Sequence, residues 1–187
     1  MDWKLLCFYA GAIIGLGLIA GLIIDLKVAK INFWPITKAS FLGIFSLTLW
    51  HVFYVLTLAV LIITLISEAE FSISTWLGLI MFIAGFSFTL WAVVVLNFKE
   101  TMGVKGEFCS RGPYRVCRNP QSTGIIVQFL GAILMTYSGY VTILTILHIT
   151  VLLLLIFAEE PWLAEHYGKE YEEYKKEVPY RLIPYIF

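Results

Sequence analysis

Five apolar runs follow one another along this chain, at residues 5–24, 41–66, 76–96, 123–137 and 140–158. The only long polar interruption of its second half lies between the third run and the fourth. About 20 apolar residues are what an α-helix needs to cross the hydrocarbon of a bilayer, and in lipid only a helix or a closed barrel satisfies its own backbone. The pattern therefore predicts an all-α integral membrane protein with five transmembrane helices, read as one domain over residues 1–187. Composition agrees: 60% of the 187 residues are hydrophobic and 14% are charged, against about 45–50% and about 25% in soluble domains. A formal net charge of zero speaks against nucleic acid as a partner.

The connections add topology. Counted from the amino-terminal tip through the four loops to the tail, Lys and Arg number 1, 3, 0, 5, 0 and 4. Such alternation predicts an amino terminus outside and a carboxyl terminus in the cytoplasm. Only Ser138 and Gly139 separate the fourth and fifth runs, so these should form an antiparallel hairpin. Gly11, Gly15, Gly17 and Gly21 place two overlapping GxxxG pairs in the first run, spacing that lets another helix approach closely, from the same chain or from a second copy in a homo-oligomer. Trp34-Pro35 reads as an interfacial anchor. His51 and His148, within runs two and five, read as hydrogen-bonding histidines rather than catalysts. Cys7, Cys109 and Cys117 show neither a disulfide framework nor metal-ligand spacing.

The polar stretch at 105–122 carries Arg111, Arg115 and Arg118, turn punctuation at Gly112-Pro113, and then Asn119-Pro120, which should cap and open a helix. Free N–H groups and the dipole of that first turn, next to arginine, suit a carboxylate or phosphate. The competing reading is a positive-inside cluster with a plain cap. By the charge count this stretch shares a face with the tail at 159–187. The connector 97–122 carries five basic and two acidic residues, and the tail carries four basic and seven acidic. In the tail, Leu163, Tyr167, Tyr171, Tyr174 and Val178 form one stripe at helical spacing, predicting an amphipathic helix on the cytoplasmic membrane surface. Glu165 with Lys169 and Glu172 with Lys176 stand at supportive i,i+4 spacing. Glu159 and Glu160, adjacent carboxylates where the last run ends, call for a nearby cation.

Two motifs together carry a resemblance. GPYRVCRNPQSTG (112–124) resembles the GPY…RHPxYxG segment, with RNP as a frequent variant, of the isoprenylcysteine carboxyl methyltransferase and phospholipid methyltransferase superfamily, and AEEPWLAEHYGKEYEEYKKEVPYRLIP (158–184) is similar to its EE…L…FG..Y..Y tail. The resemblance covers about residues 105–184. It implies a membrane-embedded methyltransferase that uses S-adenosyl-L-methionine at the cytoplasmic face, without a metal, and takes a lipophilic or lipidated acceptor from the membrane lipids. By the same resemblance Phe108, Cys109, Gly112, Pro113, Tyr114, Arg118, Asn119, Pro120, Glu159 and Glu160 surround the cofactor. Arg181 faces the acceptor, and Asn119 stands in for the motif histidine beside the cofactor. The cofactor's carboxylate would go to Arg118 and the Pro120 helix, its ammonium to Glu159 or Glu160. Asn119 and Ser122 depart from the motif's histidine and tyrosine. Glu177 stands where the prenylcysteine enzyme has a basic residue, which favours an amine acceptor over a carboxylate. A sterol-reductase-type membrane reductase using NADPH and a non-catalytic relative are the competing functions.

Overall fold

The computed structural model describes residues 2–28, 33–34, 41–68, 72–96 and 108–184. Lys30, Pro35 and Lys38 of the first loop, residues 105–107 of the polar stretch and 185–187 of the tail lie outside them. Among the described residues there are six α-helices and no strand: α1 (Trp3–Lys27), α2 (Phe41–Glu68), α3 (Ile73–Leu96), α4 (Pro120–Thr136), α5 (Gly139–Tyr167) and α6 (Lys169–Glu177), with a 3₁₀ turn at Gly112–Arg115. Helices α1, α2, α3 and α5 are long and apolar enough to cross a membrane, as a multi-pass membrane protein requires. The fourth expected span is the 17-residue α4, about 25 Å long at 1.5 Å per residue. Its start carries Gln121, Ser122 and Thr123, and it packs flat against α3.

The first five helices run alternately between two ends. At one end the Lys4 ammonium pairs with Glu68 and Phe8 meets Tyr140 edge to face at 4.9 Å. The other end gathers the close of α1, the close of α3, the 3₁₀ turn and everything from Ile156 to Leu182. The turn between α4 and α5 is as tight as expected but falls at Tyr137-Ser138: Tyr137 takes a left-handed φ of 47° and donates its N–H to the Ile133 carbonyl at 2.8 Å, and Gly139 is already helical. Helix α5 runs past the expected exit at Ala158, through Pro161 to Tyr167, and stops at Gly168, whose φ of 54° suits glycine.

The GxxxG surface of α1 is covered from within the chain. A Cβ on Gly11 would meet Leu144 and Leu56, one on Gly15 would meet Phe53 and Leu147, and one on Gly21 would meet Phe33, whereas Gly17 faces open space. The closest backbone approach is instead between α3 and α4. A Cβ on Gly78 would stand 2.6 Å from the Gly131 carbonyl oxygen, and one on Gly85 would stand 2.5 Å from that of Gly124. These pairs are seven residues apart on each helix, so two turns of α3 lie in contact with two turns of α4. Between lipid-facing helices such van der Waals contact replaces the hydrophobic drive that water would supply.

Two helical units result. Helices α1, α2 and α5 pack on one another, α3 packs on α4 and the 3₁₀ turn, and α4 joins the two. A polar link crosses that joint: the Tyr54 hydroxyl of α2 and the buried Gln128 amide of α4 exchange hydrogen bonds at 2.7 and 2.9 Å. His148 lies in the three-helix unit, stacked on Phe53 at 3.8 Å with Nδ1 against the Leu144 carbonyl. Consecutive helices α2 and α3 scarcely touch.

Because the α3–α4 contact is backbone to backbone, Gly85→Ala should destabilise the detergent-solubilised protein by about 1–3 kcal/mol. Gly17→Ala, into open space on a helix, should be neutral or slightly stabilising. Thermal unfolding of the two variants side by side checks the assignment; equal midpoints would refute it.

Candidate active site

Four short pieces of sequence meet at the second end of the bundle. The 3₁₀ turn is set by Gly112, whose φ of 60° suits glycine and which lies against Val95 of α3, followed by Pro113 at the start of the turn. This brings Tyr114 inward, where its hydroxyl accepts from Gln121 Nε2 at 3.1 Å and its carbonyl accepts from the Tyr174 hydroxyl at 2.6 Å. Phe108 lies among Tyr167, Tyr171 and Tyr174, with centroids 5.2, 6.1 and 5.2 Å away. The tyrosine stripe of the tail therefore packs on the close of α3 and on the turn, not on a membrane surface. The physical reason is competition: Ala92, Tyr114 and Phe108 offer those rings an apolar wall in the same chain. On the outer side of α6, Glu172 pairs with Lys175 at 2.7 Å, three residues on rather than four.

The acidic pair then divides. Glu160 is held by two arginines. Arg118 donates to its Oε1 from Nε at 3.0 Å and Nη2 at 2.6 Å, and Arg181 donates to its Oε2 from Nε at 2.9 Å and Nη2 at 2.7 Å. Side-chain exposure is 13% for Glu160, 7% for Arg118 and 35% for Arg181, so the carboxylate is largely desolvated and both oxygens are satisfied. Arg118 also donates through Nη1 to the carbonyls of Val178 and Pro179 at 3.0 and 2.7 Å. The chain after α6 lies along the polar turn: the Arg118 N–H donates to the Tyr180 carbonyl, the Asn119 N–H and Nδ2 both donate to the Arg181 carbonyl, and Thr123 Oγ1 donates to the Leu182 carbonyl at 3.0 Å.

Three expectations change here. Asn119 occupies the N-cap position but makes no capping bond with its side chain; the amide is spent on the tail. Arg118, expected to receive a ligand carboxylate, commits Nε and both Nη atoms to Glu160 and the tail carbonyls. Arg181, expected to face an acceptor, faces Glu160 and lies over the Phe157 ring at 5.4 Å. The arginine-bearing turn and the acidic start of the tail do meet, through Glu160. Arg111 and Arg115 stay exposed.

Beside this clamp lies a cavity of about 530 Å³. Of the expected site residues, Phe108, Cys109, Tyr114, Arg118, Asn119 and Glu159 line it, and Gly112, Pro113, Pro120, Glu160 and Arg181 do not. The cavity reaches between α2 and α3, past Trp50, His51 and Tyr54 on one side and Phe86, Thr89 and Leu90 on the other. His51, Phe86 and Leu90 are also exposed on the outside of the bundle, so its wall continues into the surface between the two helices. His51 is tied through Nδ1 to the Leu47 carbonyl at 2.8 Å.

Glu159 is the carboxylate on the cavity wall, approached by the indole of Trp34. Two buried donors of residues on that wall, Trp162 Nε1 and the Tyr171 hydroxyl, make no hydrogen bond. An unpaired buried donor costs about 1–3 kcal/mol, and native structures hold few of them. Burial pushes the hydroxyls of Tyr114, Tyr171 and Tyr174 well above the ordinary tyrosine range and pushes the Cys117 thiol up. All four are protonated at neutral pH. None of Trp34, Trp162 and Tyr171 was legible as a site residue: Trp34 read as an interfacial anchor, Trp162 only as a letter of the tail motif, and Tyr171 as one ring of a stripe. Among the described residues no group of three or more His, Cys, Asp or Glu side chains is placed to hold a metal ion.

The fold is a helical membrane bundle with an aromatic, carboxylate-bearing cavity at one end that reaches the gap between two helices. A model of the phospholipid methyltransferase family matches residues 73–170, more than half of the chain, and the protein belongs to that family. The match runs from α3 through the polar turn and α4 and α5 to the first residues of α6, so it takes in the polar turn and Glu159-Glu160 but not α1, α2, most of α6 or the tail. Comparison with curated proteins and with solved structures finds no match. Membership implies a membrane methyltransferase acting on lipid.

The clamp generates a prediction of its own. Glu160→Gln should weaken the hold on the tail, costing about 1–3 kcal/mol because Arg181 is partly solvated, and should speed tryptic cleavage after Arg181 severalfold. Unchanged proteolysis and an unchanged melting curve would show that the clamp does not hold the tail.

Proposed function

We propose that the protein transfers a methyl group from S-adenosyl-L-methionine to a lipophilic acceptor that enters the cavity from the bilayer between α2 and α3. The observation that carries this reading is the cavity itself, which joins a charged and aromatic end to an apolar end within one family-matched bundle. The residues fit the cofactor. A molecule with an aromatic base, an ammonium and a carboxylate asks for rings, an anion and hydrogen-bond donors; the wall offers Phe108 and Tyr114, the Glu159 carboxylate, and the unpaired donors of Trp162 and Tyr171. When bound, the cofactor supplies an electrophilic methyl group on a sulfonium.

The chain's own residues then have three tasks. Glu159 holds a cationic group by charge in a setting of low dielectric. Asn119, on the wall and fixed to the tail by two hydrogen bonds, keeps the start of α4 in register beside the reacting groups. Arg181, joined to Glu160, positions the tail, in place of the acceptor-facing role its motif position implies. Displacement at carbon needs alignment and exclusion of water more than an activated side chain, and the ring-lined end with the tail across it supplies both. An amine acceptor suits a cavity whose wall carboxylate, among the described residues, is Glu159. The active end and the carboxyl terminus face the cytoplasm in this reading, as the Lys and Arg distribution supports.

Calorimetric titration of the detergent-purified protein tests it. S-adenosylhomocysteine should bind and NADPH should not; the reverse would move the protein to the reductases. Glu159→Gln should weaken S-adenosylhomocysteine by about 2–5 kcal/mol, whereas a full-strength complex would remove Glu159 from the site. A lipid extract with labelled methyl donor identifies the acceptor.

A further inference from the structure

The geometry points to a neutral oxyanion subsite in the cavity, formed by the Tyr171 hydroxyl and the Trp162 indole N–H, that takes a carboxylate or phosphate group. The inference rests on the methyltransferase reading and deepens it by assigning the negative end of a ligand.

Tyr171 is 1% exposed and is first by volume among the fully buried side chains of the described residues; it is one of the residues that line the cavity, and its hydroxyl is buried without an acceptor. Arg118 flanks it, but a guanidinium only donates, so the hydroxyl proton still lacks an acceptor. Trp162 Nε1, also buried, unpaired and on the same wall, is a donor with no acceptor capacity at all. What completes these atoms must bring acceptor oxygens. Arginine is the usual choice for that work, and here Arg118 is occupied by Glu160, Val178 and Pro179. Glu159 supplies the opposite sign on the same cavity, so the ligand part held at this end carries both an ammonium and an oxyanion. Two sources share that chemistry, the amino-acid moiety of the cofactor and a zwitterionic phospholipid headgroup.

The test uses Tyr171→Phe and Trp162→Phe in the full-length detergent-purified protein. Three titrants are compared by calorimetry: S-adenosylhomocysteine, methylthioadenosine, which lacks the amino-acid moiety, and phosphatidylethanolamine presented in mixed micelles. Removing an unpaired hydroxyl should leave the ligand-free melting temperature of Tyr171→Phe unchanged or raised, a result that a merely structural role would not give. Each variant should weaken either S-adenosylhomocysteine or the phospholipid by roughly tenfold or more, the worth of a hydrogen bond to a charged group, with methylthioadenosine binding as before. Loss on the first titrant places the cofactor's carboxylate in the subsite, and loss on the second places the lipid phosphate there. Equal weakening of methylthioadenosine would mean that the donors read the nucleoside and would overturn the proposal, as would wild-type affinity for all three. If the wild-type protein bound neither S-adenosylhomocysteine nor the phospholipid, the methyltransferase reading would fall and the subsite with it.

Discussion

One carboxylate shared by two arginines holds the second end of this bundle together. Glu160 accepts four hydrogen bonds, two from Arg118 on the polar turn and two from Arg181 on the tail. Taking a lone carboxylate out of water is costly, and pairing recovers that cost only when the geometry is good and the remaining lone pairs are filled. Here both oxygens are filled, and Arg118 turns its remaining donors to the tail carbonyls at Val178 and Pro179. The ion pair thus organises backbone as well as side chains. Segments some 40 to 60 residues apart in sequence are brought into one layer, as the pairings of Arg118 with Glu160 and with the tail record.

That layer matters because the helices beneath it do not close on themselves. The α1–α2–α5 unit and the α3–α4 pair meet chiefly through α4, and the space left between α2 and α3 is where the cavity runs. Glycine contacts keep α3 tight against α4, which commits the close of α3 to the polar turn and not to α2. Tyr54 and Gln128 bridge the joint by hydrogen bonds, a specific link where apolar packing alone would let two greasy surfaces slide. The gap is therefore a product of which surfaces are small and which are bulky.

Much of this was legible in the sequence and the rest was hidden for definable reasons. Hydropathy located the four helices long and apolar enough to cross a membrane and the shorter α4, because a continuous apolar run needs no partner to be read, and the charge count brought the polar stretch and the tail to one end. The GPYR…RNP and EE motifs named the pieces that meet. What failed was the assignment of partners. Arg118 and the first turn of α4 looked like an anion site because the sequence cannot show that the tail reaches them first. The tyrosine stripe looked like a membrane face because periodicity gives a direction and not what lies in that direction. The glycines of α1 drew attention through their GxxxG spacing, whereas Gly78, Gly85, Gly124 and Gly131, seven apart on two different helices, form a pattern visible only once the helices are paired.

The same logic separates Glu159 from Glu160, which no inspection of the dipeptide could do. Consecutive residues on a helix point about 100° apart, so one can face the clamp and the other the cavity. Pro161 follows at once, and its missing N–H loosens the helical ladder at the point where the two carboxylates diverge. With the arginines spent on structure at Glu160, the described residues of the cavity wall keep the Glu159 carboxylate and donors that carry no charge. A wall of that kind holds an anionic group through directed hydrogen bonds without attracting every anion at the membrane surface, since neutral donors exert little long-range field and discriminate by geometry. The arginines that a motif reader would assign to the ligand are, in this fold, what allows tyrosine and tryptophan to take that place.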